Sequence, residues 1–340
     1  MTNKRSEQVS IAANKLTFQR TCSTSRFESS QHGRVFSDTS PGSLEHKAAT
    51  SRGSDLETQI LSEGTPSTST SYASEIFQGL VKSAADSAIG NRRFFSEHIT
   101  MNMRSILVDW LIEVAEEYKL MPETLFLSVA YTDRCLVCMP IEKRELQLVG
   151  ITCMFIAAKY EEIYAPEIGE LCYITDNSYE RNQIIRMEQD ILKHLNFSLT
   201  IPTTNTFTSM FLMWSAAGKH CVNLASLLSE LTLLNGAFLE FPSNVNASAV
   251  VFLANFYVQS ETGVLYGILD SDIVLLAKCI GTLHDEFKNH SLSGLSSVRE
   301  KYLDARYDHV SNTASRENPT DYFHLLTSKS HKRSPQLSLS

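Results

Sequence analysis

The stretch LQLVGITCMFIAA, residues 146–158, decides the fold of this chain. Its thirteen residues carry no charge and show no polar face at helical spacing. A helix that is apolar all round is buried on all sides, and this one is too short to cross a bilayer, which needs about 20 apolar residues. Gly150, Ala157 and Ala158 keep the helix thin, so that neighbouring helices can approach closely. The sequence therefore predicts a central helix over about 142–161 with other helices packed around it.

The composition limits what the chain can do. It has 340 residues, 43% of them hydrophobic, a net charge of -8 and a pI of about 5.7, which argues against nucleic-acid binding because such proteins usually carry a basic face. The N-terminal MTNKRSEQVS leads into no apolar signal region, and no apolar run reaches membrane-spanning length. Seven cysteines, an odd number, fit reduced thiols. We expect a protein of nucleus and cytoplasm with no membrane partner.

Periodicity predicts an all-α chain in four parts. Residues 1–71 and 311–340 are rich in Ser and Thr and are expected to be disordered. A short amphipathic helix at about 72–82 opens the first folded part, 72–200, and the second part is 201–310. In the first part we expect helices at about 100–118, from Pro122, 142–161, from Pro166, and up to Leu195 with Asn177 and Glu180 as an N-cap pair. In the second part we expect helices at about 203–216, 220–237, 243–259, 271–289 and 292–305.

A faint internal repeat relates the two parts. Phe155-Ile156-Ala157-x-x-Tyr160 in the central helix recurs as Phe252-Leu253-Ala254-x-x-Tyr257 in the second part. This agreement indicates one fold used twice, as two bundles of five helices. Where the first copy has Lys159, the second has Phe256. Because the shared fold does not need a charge at this position, Lys159 is predicted to belong to a functional site.

Several stretches resemble the cyclin family, in the family's order. They are MRSILVDWL at 103–111, LQLVG at 146–150, KYEEIY at 159–164, YITD at 173–176 and RME at 186–188. Pro202-Thr203 and VREKY at 298–302 are more similar to A-type than to B-type cyclins. The resemblance implies two tandem five-helix cyclin folds, and a regulatory subunit that binds and switches on a cyclin-dependent protein kinase, controlling cell-cycle progression in S, G2 and M phase.

The resemblance also implies a kinase-binding surface. Lys159 would bond backbone carbonyls near the C helix of the kinase, with Glu188 acting beside it. Alternatively, Lys159 could simply favour the helix dipole, and Glu188, which lies on the apolar stripe of its helix, could reach water at the stripe edge. The full predicted set is Lys159, Glu188, Glu162, Phe197, Leu199, Tyr72 and Ile76.

The resemblance implies a second surface, a shallow exposed groove for Arg-x-Leu segments of substrates and inhibitors. A carboxylate beside an apolar groove would suit such a ligand. The predicted groove residues are Met103, Ile106, Leu107, Trp110, Glu113, Leu146, Gln147, Ile174 and Asp176. The alternative is that the apolar members, which follow helical spacing, are simply core.

Other motifs give no sign of catalysis. Cys135-x-x-Cys138 lacks a second pair of zinc ligands, and His284-x-Glu286 lacks the Pro-Cys-x-x-Cys that a deaminase needs. There is no P-loop, GxGxxG, GxSxG or HExxH. We expect no catalytic residues, no metal and no cofactor. The two rival interpretations are a cyclin-fold transcription factor that binds DNA and a helical enzyme.

The sequence departs from the family pattern in three respects. Gly79 stands where a second aromatic residue is usual, and Ser105 replaces an alanine. Residues 1–71 contain neither an Arg-x-x-Leu destruction box nor Lys-Glu-Asn, so periodic destruction is not expected from this region. Arg104 to Leu107 matches the box by letter but lies in a predicted packed helix.

Overall fold

The computed structural model describes residues 66–89, 98–215, 217–259, 273–290 and 292–331. The chain divides into two units, Met1–Leu80 and Val81–Ser340. The described residues of the first unit are helical and form the first part of helix α1, Pro66–Ser87. This helix is longer than the predicted one at 72–82. The predicted disorder of residues 1–65 lies outside the described residues.

The second unit contains two helical bundles, and no strand occurs in the described parts of the chain. The first bundle consists of α2 Met101–Glu117, α3 Pro122–Cys138, α4 Leu146–Glu161, α5 Ile168–Ile174 and α6 Arg181–His194. The second bundle consists of α7 Thr204–Trp214, α8 Lys219–Leu234, α9 Ser243–Val258, α10 Ile273–Asn289 and α11 Ser297–Tyr302. A final helix, α12 Pro319–His331, follows. The predicted all-α class with two five-helix bundles is confirmed.

The central helix α4 is buried as predicted, along its whole length from Leu146 to Ala158 except at Gln147. Gly150 explains the close packing, because a Cβ atom there would lie 2.8 Å from the side chain of Leu107 on α2. The helix begins later than predicted, since Lys143–Glu145 form a 3-10 turn ahead of it. None of the described helices combines the length and the apolarity that crossing a membrane requires.

Local capping sets the helix boundaries. The Thr100 side chain accepts a hydrogen bond from the Met103 amide at the start of α2, and Pro122 opens α3 as predicted. The predicted N-cap at Asn177 is wrong, because Glu180 caps α6 in a reciprocal capping box with Gln183. Asn177 instead adopts a positive φ of 54° in the turn after α5, a conformation that asparagine tolerates better than most residues.

A buried ion pair joins the two bundles. The Arg104 guanidinium donates to both carboxylate oxygens of Asp133, at 2.5 and 2.7 Å, and both residues are almost fully buried. The same guanidinium donates at 2.8 Å to the carbonyl of Leu233 in the second bundle. The neighbouring Ser105 hydroxyl donates at 2.7 Å to the Leu234 carbonyl. Helix α2 therefore holds the end of α8, and Ser105, the departure from the family's alanine, makes one of these bonds.

A second buried cluster lies under α11. Glu230 of α8 accepts hydrogen bonds from the Lys301 ammonium at 2.6 Å and from the Tyr302 hydroxyl at 2.8 Å. Burial opposes the charge on Lys301, but Glu230, followed by Tyr307 and Glu116, outweighs it and raises the pKa of the lysine. Glu116 belongs to α2, so this cluster also ties the bundles together.

The expected disorder of 311–340 is wrong for Pro319–His331, which form α12. Phe323 is only 2% exposed and packs edge-on against Phe252, with ring centroids 5.4 Å apart. The Ser- and Thr-rich composition around α12 obscured two aromatic residues, Tyr322 and Phe323, that suffice to dock one short helix.

We expect Arg104→Met to destabilise the protein by about 3–5 kcal/mol, because it leaves the buried Asp133 carboxylate without its cation. Adding Asp133→Leu should recover part of that loss, since the uncompensated charge is then gone. Urea unfolding of the two variants measures the difference.

Arg144→Met is the matched control, because the Arg144 pair with Glu142 is 80% and 63% exposed and should be worth about 1 kcal/mol at most. A double variant no more stable than Arg104→Met would contradict this interpretation of the ion pair.

Candidate functional site

The open end of α4 brings Lys159 and Glu188 together. The Lys159 ammonium bonds the carboxylate of Glu188 on α6, and it lies 4.3 Å from the centroid of the Phe155 ring. The lysine side chain is 44% exposed and the glutamate side chain 14%. Glu188 lies at the edge of the apolar stripe of α6, where the alternative prediction had its carboxylate reach only water. In the structure this carboxylate pairs with Lys159. Pairing and ring contact hold a flexible lysine in one place at the surface.

Exposed apolar side chains lie at the end of α4 and just after α4 and α6, the two helices that carry this pair. Ile163 and Tyr164, in the loop after α4, are 92% and 90% exposed, and Tyr160 and Phe197 are exposed as well. A cluster of large exposed apolar groups beside a charged pair is typical of a protein-binding surface. We call Lys159, Glu188, Tyr160, Ile163, Tyr164 and Phe197 the α4-end surface. Ile163 and Tyr164 are not among the predicted site residues, although both belong to the KYEEIY stretch.

The turn after α6 presents Phe197 outward. Asn196 and Phe197 have positive φ angles of 51° and 54°, and Phe197 is not a residue type that adopts this conformation readily. Such backbone costs on the order of 1–3 kcal/mol per residue and concentrates at functional positions. Leu199 lies just beyond the turn, half-buried, where its carbonyl accepts a bond of 2.8 Å from the Tyr131 hydroxyl.

Glu162 has an intramolecular function. One of its carboxylate oxygens accepts from the Met121 amide and from the Thr124 hydroxyl, both at 2.6 Å, and so satisfies the start of α3. Burial, followed by the charges of Glu123 and Glu162, raises the pKa of the adjacent Glu161. This capping contact was not part of the prediction for Glu162, whose kinase-binding role stays a prediction.

Tyr72 and Ile76, the predicted contacts on α1, lie four residues apart and are both exposed. A Cβ atom added at Gly79 would meet no other atom within 4 Å. The role of Tyr72 and Ile76 in kinase binding stays a prediction.

The predicted groove is only partly open. The expected exposure is wrong for Leu107, Trp110 and Leu146, which are buried; Trp110 is 4% exposed. The reason is that α2 packs between α4 and the second bundle, so that its apolar stripe is largely covered. Half-buried or exposed side chains along this surface are Met103, Ile106, Glu113, Gln147, Ile174 and Asp176.

The second bundle engages the carboxylates of α2. Glu113 accepts a bond of 3.0 Å from the Ser297 hydroxyl, and Asp109 accepts one of 3.1 Å from the Ser297 amide. Helix α11 thus begins against α2, at the edge of the predicted groove. Glu113, the predicted partner of a ligand arginine, is already oriented by the second bundle.

The residues of the other candidate motifs are buried or make hydrogen bonds within the fold, with Cys138 the exposed exception. Cys135 is buried, and its hydrogen bond with Cys153, together with burial, raises the pKa of its thiol, whereas Cys138 is exposed. The imidazole of His284 bonds the Tyr257 hydroxyl at 2.7 Å, and burial lowers its pKa. The Glu286 carboxylate accepts a hydrogen bond of 2.6 Å from the side-chain amide of Asn235. Across the part of the chain that the structure describes, no group of His, Cys, Asp and Glu is arranged to hold a metal ion.

Known proteins are similar to this chain in sequence and in fold. Residues 75–200 match the family model of the cyclin N-terminal domain, and residues 202–316 that of the cyclin C-terminal domain. Cyclin-A2-1 of Oryza sativa subsp. japonica is 39% identical over 270 residues, which are 75% of this chain and 54% of that protein. Cyclin-A3-1 of the same organism is 38% identical over 278 residues, 78% of this chain and 74% of that protein. The chain thus spans about half of one relative and three quarters of the other.

Two solved structures show the same fold. A viral cyclin from herpesvirus saimiri superposes with a TM-score of 0.52 at 19% identity, covering 59% of this chain and 89% of that one. The yeast RNA Pol II CTD kinase CTDK-1 complex contains a chain that superposes with a TM-score of 0.51 at 14% identity, covering 77% and 83%. At these identities the likeness concerns the fold alone.

We expect Trp110→Ala to cost about 3–5 kcal/mol of unfolding free energy, because the indole is core. Met103→Ala should cost about 1 kcal/mol, since Met103 is half-buried at the surface of the same helix. Denaturant unfolding of both variants checks this, and equal costs would contradict the assignment of Trp110 to the core.

Proposed function

The chain belongs to the cyclin family, and we propose that it is the regulatory subunit of a cyclin-dependent protein kinase. The proposal also places it in nucleus and cytoplasm, controlling cell-cycle progression. The observation that carries it is the α4-end surface, an oriented Lys159–Glu188 pair among exposed apolar side chains at the open end of a buried helix.

The chemistry of this surface suits a helix of the partner. The Lys159 ammonium has three donors, and its bond to Glu188 leaves it the capacity to donate to carbonyls at a helix C-terminus, where a cation is also favoured by the dipole. Ile163, Tyr164 and Phe197 can bury apolar area against the sides of that helix. Charge at the centre and apolar groups around it give both orientation and affinity.

The proposed mechanism is conformational. Binding holds the C helix of the kinase in its inward position, so that the kinase's own Lys–Glu ion pair can form. The bound subunit also helps to order the activation loop. The bundles are well suited to this because buried ion pairs and packed helices keep the α4-end surface fixed. Phosphoryl transfer belongs to the kinase, and the subunit itself is not an enzyme.

A second part of the proposal concerns substrate selection. The partly exposed side chains Met103, Ile106, Gln147 and Ile174, with Asp176 and Glu113, form a surface that Arg-x-Leu segments of substrates and inhibitors can bind. Buried Trp110, Leu107 and Leu146 would support it from beneath. The apolar groups fit the leucine, and the carboxylates fit the arginine.

Exchanging the two charges tests the kinase-binding surface. Lys159→Glu combined with Glu188→Lys keeps an intramolecular ion pair, so the thermal midpoint should stay close to that of the parent protein. The partner then meets the wrong charges, and kinase activation at limiting subunit concentration should fall at least about 30-fold, corresponding to roughly 2 kcal/mol or more.

Lys193→Glu with Asp190→Lys is the matched control, because this pair is exposed on the same helix α6 and 3.8 Å apart. It should leave activation unchanged. Full activation by the Lys159 and Glu188 exchange, with the fold intact, would refute the proposed surface.

Groove function is tested by Met103→Ala combined with Gln147→Ala, which leaves buried Trp110 in place. Phosphorylation of substrates bearing Arg-x-Leu should fall roughly fivefold or more, whereas short peptides without the motif should be phosphorylated as before. The exposed Asn102→Ala on the same helix is the control. An equal loss for both kinds of substrate would contradict the groove.

A further inference from the structure

The internal repeat places two equivalent helix ends in one molecule. Phe155, Lys159 and Tyr160 on α4 correspond to Phe252, Phe256 and Tyr257 on α9. In the first bundle the Lys159 ammonium lies over the Phe155 ring. In the second bundle the Phe256 ring stacks on Phe252, with centroids 6.2 Å apart and planes 7° from parallel. An aromatic pair thus replaces the cation and its ring.

The two ends differ in what covers them. Tyr160 is exposed, whereas Tyr257 is 6% exposed and packs on Phe287 of α10, with ring centroids 5.0 Å apart. Phe252 is fully buried, and α12 covers it together with Phe256. Tyr322 packs on Phe256 at 5.3 Å between ring centroids, and Phe323 packs edge-on against Phe252 at 5.4 Å.

Polar contacts fix the entry of this segment. The Arg316 guanidinium donates at 3.0 Å to the carbonyl of Phe256, near the C-terminus of α9, and lies 5.5 Å from the centroid of the Phe256 ring. A cation bonded to the last carbonyls of the central helix is favoured by the helix dipole. Position 281 on α10 also faces α12, because a Cβ there would lie 3.7 Å from the Thr320 hydroxyl.

We propose that the segment from Arg316 through α12 is a built-in occupant of the second bundle's copy of the docking surface. This inference rests on the proposed function of the α4-end surface and adds which segment of the chain covers the equivalent helix end in the second bundle. The chemistry matches the occupant: the second end has Phe256 in place of the charged Lys159, and the segment supplies two aromatic rings and an arginine.

The proposal has a consequence for the free surface. When α12 is released, Phe252 and Phe256 lose their cover, and the second end becomes a site for an aromatic helix supplied by another molecule. The probe is a peptide with the sequence of residues 316–331, because this segment covers the site in the structure. In the parent protein the tethered helix competes with the probe, because a tether gives an effective concentration in the millimolar range.

The experiment uses the full chain. Phe323→Asp places a charge in the aromatic contact and should release α12, while Asp321→Asn, exposed on the same helix, is the control. Hydrogen exchange of the amides in the last two turns of α9 should accelerate at least tenfold in Phe323→Asp alone. The labelled 316–331 peptide should bind Phe323→Asp at least tenfold more tightly than it binds the parent or the control, and binding should restore the exchange protection.

Each alternative outcome is informative. Unchanged exchange in α9, or equal peptide binding by all three proteins, would overturn the proposal. Should Phe323→Asp aggregate, Arg316→Ala with Tyr322→Ala gives a milder release, and the same two measurements apply. Neither measurement uses a kinase, so these results separate a failure of the α12 proposal from a failure of the proposed kinase activation.

Discussion

Burial of the charge-free helix α4 is the constraint on which the rest of this structure depends. Leu146 to Ala158 can be satisfied only by a complete shell of other helices, and Gly150 allows one of them, α2, to approach through Leu107. The shell must stop where charge begins, at Lys159. The chain therefore exposes the end of its most buried helix, and the α4-end surface forms there as a consequence of the packing.

Buried polar contacts help to join the two bundles. Arg104 links Asp133 to the Leu233 carbonyl, and Glu230 links α8 to Lys301 and Tyr302. Such buried bonds have strict geometry, and breaking one partner is costly. They fix the register of α2 against α8 and α11, and with it the position of Glu113 beside Ser297.

Much of this arrangement could be predicted from periodicity, because apolar spacing and prolines reflect local physics. The helix at Pro122 and the buried α4 are examples. The failures arose where one residue type suits two environments. Asn177 can cap a helix or take a positive φ, and Trp110 can line a groove or fill a core, depending on what the second bundle covers. The docking of α12 depends on a distant aromatic partner, Phe252, which no local pattern reveals. The pairing of Lys159 with Glu188, 29 residues away, likewise depends on tertiary packing and not on a local sequence pattern.

The most direct test of the central claim is hydrogen exchange of the full chain with and without a bound cyclin-dependent kinase. If the exposed end of α4 is the docking surface, amides in the loop at Ile163 and Tyr164 and in the turn at Phe197 should become protected on binding. Amides at the end of α9 should exchange at the same rate in both states. Protection confined to the second bundle, with the α4 end unchanged, would contradict the account.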